Sequence, residues 1–514
     1  MRRLTRPTIC CLSFVHLLSV FCPIATTAQE GSVQLPGAVH IDALEMGEGK
    51  TSIAEAVSMV DQAGLGAAII TPHDQSVVEY GLPPLRNLLK VKISRESIQD
   101  FGVERFIENI RSTDEGVPGV ITIDGAEAIP AYYWDRGVLS GQPTVRNLHK
   151  HILIIGLPSA ESYAQIPSIT NGFPFEFGLF CALSFWPAPV ILIGLLMIIR
   201  ARRHNVIDDP RSIKPGLLTV VIGGLFFANN IPFCSSLDAY HGDQGEKPYQ
   251  AVIDFANEQG AMTFWAHPEV TNRTPQPTPW PASILADSVI FGTSPYNSSL
   301  LNTTGYTGFA IFEAGMRVIG KPGGIWDQVL LEYCAGLRKK PIWAIAELDF
   351  EVRPEDHGVT TSQTVFLVKE GGRAGVLNAM RDGAMYARRA PGERLSVPSF
   401  TVSGSSGSSG VEMGGHVRLA ESPRILFHLK TATDRPQNLK ILILRGSDVI
   451  RTVSTTRDTT VIFEDPVHSG SGTTYYRCIV MLNEWPVLAT NPIFVTINIP
   501  VGQQTKPQKQ EKKT

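Results

Sequence analysis

Charge and cysteine are scarce in this sequence. Charged residues make up 18% of its 514 positions, and 45 Lys and Arg nearly balance 48 Asp and Glu, so no basic excess indicates a nucleic-acid partner. Three of the seven cysteines lie in the first 25 residues and the other four are far apart, which excludes a disulfide framework. Hydrophobic residues amount to 43%, enough to bury large cores, which excludes a disordered or collagen-like chain. The length predicts about three domains.

Two long stretches lack charge altogether. Residues 177–199 and 215–237 each run for 23 positions without a charged side chain, and about 20 apolar residues suffice to cross a bilayer. We therefore predict two transmembrane helices within residues 173–237; a pair of buried core helices is the alternative. The residues between them, 200–214, carry five basic side chains against two acidic ones, which is typical of a short cytoplasmic loop.

Residues 1–28 have the pattern of a secretory signal peptide: a basic start, an apolar run over 9–24 and small residues at 26–28. Export would place residues 29–172 outside the cytoplasm, and two spans would return the chain to the same side. An uncleaved N-terminal anchor would give the same orientation. We therefore expect a protein of the inner or plasma membrane whose main part faces the periplasm or the cell exterior.

Apolar runs of strand length alternate with helical patterns in residues 29–172 and 238–395. The predicted strands are 38–41, 67–71, 119–123, 126–129, 151–157, 261–267, 309–314 and 341–348, and the predicted helices lie near 51–63, 95–111, 248–259, 324–337 and 371–383. This alternation favours an α/β parallel sheet or barrel. Residues 396–500 show short strands separated by turns, which predicts a small C-terminal β-sandwich. The polar residues 501–514 are expected to form a disordered tail.

Histidines and carboxylates stand at the ends of these predicted strands. Examples are His40 and Asp42, then His73, then His267, then Asp349; His151 instead opens its strand. In an α/β barrel the carboxyl ends of the strands meet at one mouth, so together these side chains predict a site for several metal ions. A hydrogen-bonded structural role is the alternative for each one taken singly.

The order of short motifs resembles the PHP (polymerase and histidinol phosphatase) superfamily. The motifs are His40-Ile-Asp42, Gly47-Glu48-Gly49, Ile70-Thr71-Pro72-His73-Asp74, Gly125-Ala126-Glu127, His151, Ala266-His267-Pro268-Glu269 and Leu348-Asp349-Phe350-Glu351. The resemblance covers about residues 36–400, with the membrane segment inserted. It implies a distorted (β/α)7 barrel, interrupted by the transmembrane hairpin, that hydrolyses phosphoesters at a trinuclear metal site.

The resemblance also implies the ligands of each ion. One ion would be held by His40, Asp42, Glu127 and Asp349; a second would share Glu127 with His151 and His267; a third would be held by Glu48, His73 and Glu351. Glu127 and His267 would also be catalytic. His241, which follows the second predicted span, is a further catalytic candidate that would line the pocket or contact a substrate; a surface position is the alternative.

The chain departs from the family where Asp42 and Glu351 replace histidines. A carboxylate still binds metal, and the harder site leans towards manganese or magnesium; the expected ions are manganese, zinc or iron, with magnesium as a further candidate. The sequence therefore predicts two or three divalent ions and a membrane-anchored, exported hydrolase of small or polymeric phosphoesters. Two alternatives stay open: a degenerate, non-catalytic binding or sensing protein, and a metal-dependent hydrolase of another bond.

Overall fold

The computed structural model describes residues 32–44, 51–136, 142–174, 178–203, 213–231, 237–280, 282–312, 314–351, 358–392, 394–406, 410–433, 435–466 and 471–498. The predicted signal peptide, most of the predicted cytoplasmic loop, Glu48 and the predicted tail lie outside the described residues.

Up to residue 389 strands are interspersed with helices. Each predicted strand or helix lies close to an observed one, but the two strands predicted at 119–123 and 126–129 form the single strand Ile121–Ala128, and several observed strands were not predicted. The strands are β1 (Val33–Asp42), β2 (Ala67–Ile70), β3 (Val77–Gly81), β4 (Lys90–Ser94), β5 (Ile121–Ala128), β6 (Tyr133–Arg136), β7 (Thr144–Arg146), β8 (Ile152–Ile155), β9 (Met262–Trp265), β10 (Asn272–Pro277), β11 (Ser288–Thr293), β12 (Gly308–Phe312), β13 (Trp343–Ala346), β14 (Phe350–Glu351), β15 (Ser362–Val368) and β16 (Met385–Arg389). The helices are α1 (Ile53–Gln62), α2 (Ile98–Phe101), α3 (Val103–Gly116), α4 (Ala160–Ala164), α5 (Leu179–Ser184), α6 (Pro187–Arg203), α7 (Lys214–Asn229), α8 (Lys247–Glu258), α9 (Ser299–Asn302), α10 (Ile325–Cys334) and α11 (Gly372–Asp382).

The C-terminal part consists of strands. They are β17 (Leu395–Gly404), β18 (Val411–Glu412), β19 (His416–Leu419), β20 (Pro423–Thr431), β21 (Leu439–Arg445), β22 (Asp448–Thr455), β23 (Thr459–Glu464), β24 (Ser471–Leu482), β25 (Trp485–Thr490) and β26 (Ile493–Asn498).

Local sequence signals explain where the helices begin and end. The Ser52 hydroxyl caps α1 by accepting from the Glu55 amide (3.2 Å), and apolar side chains at helical spacing bury one face of that helix. The single helix predicted near 95–111 is divided into α2 and α3 at Gly102, whose φ of +96° suits glycine and interrupts the helix.

One large mixed sheet of 16 strands organises the described residues. Its main order is β13-β12-β9-β8-β5-β2-β1-β15-β16-β25-β24-β21-β22. Strands β1, β2 and β5 are mutually parallel, as are β9, β12 and β13, whereas β8 runs antiparallel to both β5 and β9. The parallel strands β2, β9, β12 and β13 are buried throughout, which accounts for their uninterrupted apolar sequences.

The predicted distorted (β/α)7 barrel is wrong. In such a barrel β1 would pair along its length with the last parallel strand, but residues 33–37 of β1 pair with the antiparallel β15. Strands β15 and β16 then lead the sheet onward into the C-terminal strands. Alternation of strands and helices carries no information about strand direction, so it could not reveal this pairing. The end of β13 nevertheless returns beside β1, where the Leu348 amide donates to the Val39 carbonyl (2.8 Å).

The prediction of a C-terminal sandwich that simply follows the α/β part is also corrected. Strands β21, β22, β24 and β25 extend the large sheet, and β18-β17-β20-β23 form a second sheet. The two layers enclose a shared core that includes Phe400, Phe427, Ile441 and Val480. That core also takes in Val365 from β15, so one of its layers is continuous with the α/β part.

The predicted hairpin of two membrane spans is corrected as well. Within the described residues one helical segment, Cys181–Arg203, is long and apolar enough to cross a membrane; it has 23 residues and is mostly unburied. Helix α7, which packs against α6, has 16 residues. It ends there because Asn230 caps it and because Pro232 in the sequence disfavours a helical conformation at the residue before it. A Cβ added to Gly194 of α6 would lie 2.9 Å from the Gly216 carbonyl of α7, so the two helices pack closely.

Two smaller sheets border the end of the large sheet at which the polar strand ends gather. One is the β3–β4 hairpin, and the other has the order β10-β11-β7-β6. They share a core of apolar side chains that includes Val78, Trp134, Val145 and Phe291.

Candidate metal centre

Polar side chains from six segments converge at one edge of the large sheet. His40 lies in β1 and Glu127 in β5, while His73, His267 and Asp349 follow β2, β9 and β13. These are the carboxyl ends of parallel strands, where α/β proteins bind ligands.

His151 belongs to the same edge although it precedes its strand. Because β8 is antiparallel to β5 and β9, its amino end lies beside the carboxyl ends of its neighbours. The reversed strand thus explains the one predicted ligand that opens a strand.

The Glu127 carboxylate is the centre of the group. Its Oε2 lies 2.7 Å from His73 Nδ1 and 3.3 Å from His40 Nε2. Its Oε1 lies 3.3 Å from His267 Nε2 and contacts His151 Nδ1. Backbone bonds hold the carboxylate in place, since the Glu127 amide donates to the Pro72 carbonyl and the Asp74 amide donates to the Glu127 carbonyl. Four imidazole nitrogens therefore face one buried carboxylate.

Three of these histidines use their outer ring nitrogen as a hydrogen-bond donor. The pairs are His40 Nδ1 to Glu347 Oε2 (3.0 Å), His151 Nε2 to the Leu148 carbonyl (2.7 Å) and His267 Nδ1 to the Tyr296 hydroxyl (3.2 Å). The Tyr296 hydroxyl donates its own proton to the Ala266 carbonyl, so toward His267 it accepts. Each neutral ring then keeps its inner nitrogen unprotonated, with the lone pair directed at the space around Glu127.

The donor set fits divalent metal ions. His40 Nε2 and His73 Nδ1 are buried, and within the described part of the chain neither has a partner in hydrogen-bonding geometry. Two sets of residues could each hold an ion: one is His73, Glu127 and His151, and the other is His40, Glu127 and Asp349. Within each set the ligand atoms lie within 4.8 Å of one another, and both sets share Glu127. A carboxylate that bridges two mixed nitrogen and oxygen sites suits manganese, zinc or iron. Saturating the same nitrogens with protons would bury several imidazolium ions together, which costs free energy.

Burial and the charges within the group shift the pKa values of its members in opposite directions. Burial favours the neutral form of Glu127, but His151, His40 and His73 outweigh that effect and hold its pKa well below the usual range. Burial lowers the pKa of His73 and of His267, yet nearby carboxylates, Glu127 among them, raise both pKa values to about 9. The electrostatic field of the carboxylates therefore favours positive charge at the centre of the group.

Three members of the group have unusual backbone conformations. The φ angles are +66° at His40, +25° at His267 and +50° at Asp349, in the region that side chains other than glycine seldom adopt. At His40 the pairing of β1 with β2 shifts register, which is a β-bulge that turns the side chain toward Glu127. Such strain persists where the surrounding structure enforces it, and it is common at functional sites.

The other predicted site residues lie in different places. Asp42 ends β1, close enough to raise the pKa of His73, and its backbone pairs with Glu351 in β14. Glu48 and the side chain of Glu351 are outside the described part, so the third predicted ligand set stays a prediction. His73, which was expected in that set, instead joins Glu127 and His151. His241 is exposed, and its Nδ1 lies 2.6 Å from Asp238, outside the group around Glu127.

Sequence reasoning missed Glu347. This fully buried carboxylate accepts from His40 Nδ1 (3.0 Å) and from the His267 amide (2.5 Å), so it orients two predicted ligands. Burial raises its pKa. The available signal was a carboxylate at the end of an otherwise apolar strand, two positions before Asp349.

A large cavity lies apart from this group. Its volume is about 810 Å³, and its lining includes Trp343, Lys340 and Met413. Trp343 begins β13, whereas Asp349 follows the end of that strand, so this cavity lies toward the opposite edge of the sheet.

Comparisons with known proteins identify no family for this chain. No protein-family model and no curated protein matches it. Among solved structures, an alkylpurine DNA glycosylase from Pseudomonas fluorescens, bound to DNA that contains an abasic-site analogue, aligns with 20% of this chain and 30% of its own. The identity is 11% and the TM-score 0.14, so this alignment supports neither a fold nor a function.

Proposed function

We propose that this protein is a metal-dependent phosphoesterase that holds two or three divalent ions around Glu127. The observation that carries the proposal is the set of inner histidine nitrogens aimed at one carboxylate, with the outer nitrogens of His40, His151 and His267 already engaged as donors. The order of the motifs, which resembles that of the PHP superfamily, supports phosphoester hydrolysis as the reaction class.

Bound divalent ions would lower the pKa of a water molecule to about 7 and neutralise charge on the phosphoryl oxygens. The chain supplies a place for that water. A narrow cavity of about 20 Å³ lies against His73 and His151, and this volume holds one water molecule.

The rim of this cavity supplies the groups that would orient a substrate. Arg95 lines it and can bind a phosphate through two parallel hydrogen bonds. His149 also lines it; burial, with His151 and His267, lowers the pKa of His149 to about 3, so this ring is neutral. The walls are apolar, with Val78 and Phe291 among them, and they limit access of bulk water.

We propose further that the folded part lies on the extracytoplasmic side of the membrane that α6 crosses. Arg200, Arg202 and Arg203 end that helix and would face the cytoplasm. Cys181 at the other end is disulfide-bonded, and disulfides persist outside the cytoplasm.

Orientation can be tested with a membrane-impermeant thiol reagent on intact cells. A cysteine at Arg457 should react, and a cysteine at Asn205 should react only after the membrane is opened. The reverse pattern would refute the extracytoplasmic assignment.

The function is tested by elemental analysis of the detergent-purified full chain, followed by a phosphoester screen. Because both ligand sets share Glu127, Glu127→Gln should remove metal from both and abolish turnover together. The control is Glu484→Gln, the same chemical change at an exposed residue that pairs only with Lys440. The control should keep metal and activity.

Three other results would reject the proposal. A wild-type protein that keeps no metal after reloading favours the degenerate binding protein. Metal-replete protein that hydrolyses amides but no phosphoester favours a hydrolase of another bond. Turnover of phosphoesters that survives Glu127→Gln would place the chemistry elsewhere.

A further inference from the structure

The loop between β3 and β4 is fixed against one end of the packed helices α6 and α7. The Asn87 amide donates to Asn229 Oδ1 (3.0 Å), and the Asn87 side chain donates to the Asn229 carbonyl (2.6 Å). Asn230 joins the two helices at the same level by donating to the Ser184 carbonyl (2.8 Å). Because Asn229 ends α7, the loop lies at the end of the helix pair that faces the folded part.

The length of the apolar segment sets the depth of this loop relative to a bilayer. The 23 residues of Cys181–Arg203 span about 35 Å as a helix, close to the hydrocarbon thickness of about 30 Å. The Cys181 end, with Trp186 one turn farther on, therefore lies near the membrane surface. Trp186 is 48% exposed, and Leu88 and Leu89 on the loop are 43% and 52% exposed. Tryptophan is enriched at this interface, and two neighbouring exposed leucines suit the first layer of acyl chains.

A cavity opens between the loop and the helix ends. Its volume is about 520 Å³, and both sides contribute to its lining: Arg86 and Lys90 from the loop side, Trp186 and Asn230 from the helices. Its position at the level of Trp186 makes a lipid headgroup the nearest ligand of matching size.

The cavity holds one cation, Arg86, that can bind an anion. Its carboxylates are already engaged: Glu79 pairs with Lys90 (2.6 Å) and Lys92 (2.7 Å), and Asp238 pairs with His241 (2.6 Å). Arg86 stacks on the ring of Tyr240 at 4.0 Å. Among the described residues no carboxylate pairs with its guanidinium, so its hydrogen-bond donors remain available for a phosphate.

We propose that this cavity binds the phosphate headgroup of an anionic membrane phospholipid, with Leu88 and Leu89 inserted among the adjacent acyl chains. Arg86 contacts the phosphate, and Trp186 packs at the glycerol level. The site lies apart from the group around Glu127, so the inference rests on the proposed membrane placement of α6 and not on the proposed hydrolysis. It gives the loop a physical role: it holds the folded part at a fixed height above the membrane.

Binding of phosphatidylglycerol to the full chain, released from nanodiscs, can be counted by native mass spectrometry. Arg86→Gln should lower the phosphatidylglycerol adducts about fivefold, the factor that loss of one basic side chain near an anionic surface predicts. Arg457→Gln, a matched change in the C-terminal part, should leave them unchanged. Excess inorganic phosphate should not displace the lipid, because the acyl chains contribute to binding.

Three outcomes would overturn the proposal. They are equal adduct counts for Arg86→Gln and wild type, equal losses in both variants, and complete displacement by inorganic phosphate, which would indicate a site for free phosphate.

Insertion of the leucines is measured separately with a fluorophore attached at Leu88→Cys in a Cys334→Ser background, since Cys334 is the partly exposed free thiol among the described residues. Lipids that carry a nitroxide on the acyl chain should quench this fluorophore at least twofold more than one attached at Val449→Cys, an exposed position in β22. Equal quenching at the two positions would refute insertion of the loop.

Discussion

Glu347 should control metal affinity without binding metal itself. Its carboxylate is fully buried and accepts two hydrogen bonds, one from the His40 ring and one from the His267 amide. In Glu347→Gln one acceptor oxygen becomes an NH₂ donor, so one of the two facing N–H groups meets another donor. A buried polar group left without a partner costs about 1–3 kcal/mol. Loss of a partner that orients a metal-binding histidine typically weakens metal affinity about 10–100-fold, and we expect a change in that range.

The assay is a competition titration of manganese or zinc against a chromogenic chelator, with the full chain in detergent. Thermal unfolding is measured on the same metal-free samples. The matched control is Asp327→Asn, because Asp327 is equally buried and pairs with Arg477 (2.7 Å) and Tyr475 (2.7 Å) in a different part of the fold. This control should lower the unfolding temperature and leave metal affinity within about twofold of wild type.

Two results would refute the reasoning. If Glu347→Gln binds metal as tightly as wild type, the hydrogen bonds to His40 and His267 do not orient ligands. If Asp327→Asn weakens metal binding as much as Glu347→Gln does, the effect reports general destabilisation.

Three further predictions concern the rim of the site, its protonation and the membrane helix. Arg95→Gln should raise KM for a phosphoester about tenfold with less effect on kcat, because one charged hydrogen-bonding group is lost; steady-state kinetics would show an unchanged KM if Arg95 does not contact substrate. Since the pKa values of His73 and His267 are about 9 without metal, protons compete with metal for these rings below that pH. Metal affinity measured by titration should therefore rise from pH 6.5 to 9 and then level off, and a flat profile would contradict this. Leu196→Arg places a charge on an exposed, apolar face of α6, which costs about 2.5–3.5 kcal/mol of membrane-insertion free energy, so less protein should reach the membrane fraction. Leu337→Arg, at an exposed position outside that helix, should not change the amount.

Local pattern was a good guide to the secondary structure of the α/β part. The run at 67–71 becomes β2 and the helical pattern at 248–259 becomes α8, each within one residue at its ends. Both predictions are correct for the same reason. The helix buries one face and the strand is buried on both faces, and burial imposes a spacing of apolar residues that is visible in the sequence. The helix predicted near 95–111 fared less well, because the single glycine at 102 adopts a backbone angle that interrupts it.

The pattern also selected side chains that the structure brings together. His40, His73 and His267 were noticed as polar residues at the ends of apolar runs, His151 as one that opens its run, and Glu127 through the order of the motifs. Their ring or carboxylate atoms meet in one buried group. His241 shows the limit of this reasoning, since a histidine in a polar loop has no burial signal and lies exposed beside Asp238.

By itself, the sequence determined most strands and helices of the α/β part, the positions of the polar strand ends and two uncharged stretches, one of which forms a helix long and apolar enough for a membrane. These are local properties, set by the spacing of residues within a few turns or one strand. Only the tertiary structure decided that β8 is reversed, that β15 occupies the edge of β1 and that Glu347 orients His40 and His267. Such features depend on contacts between residues far apart in the chain. These contacts impose no periodic pattern of residues on the local sequence, so the sequence pattern cannot predict them.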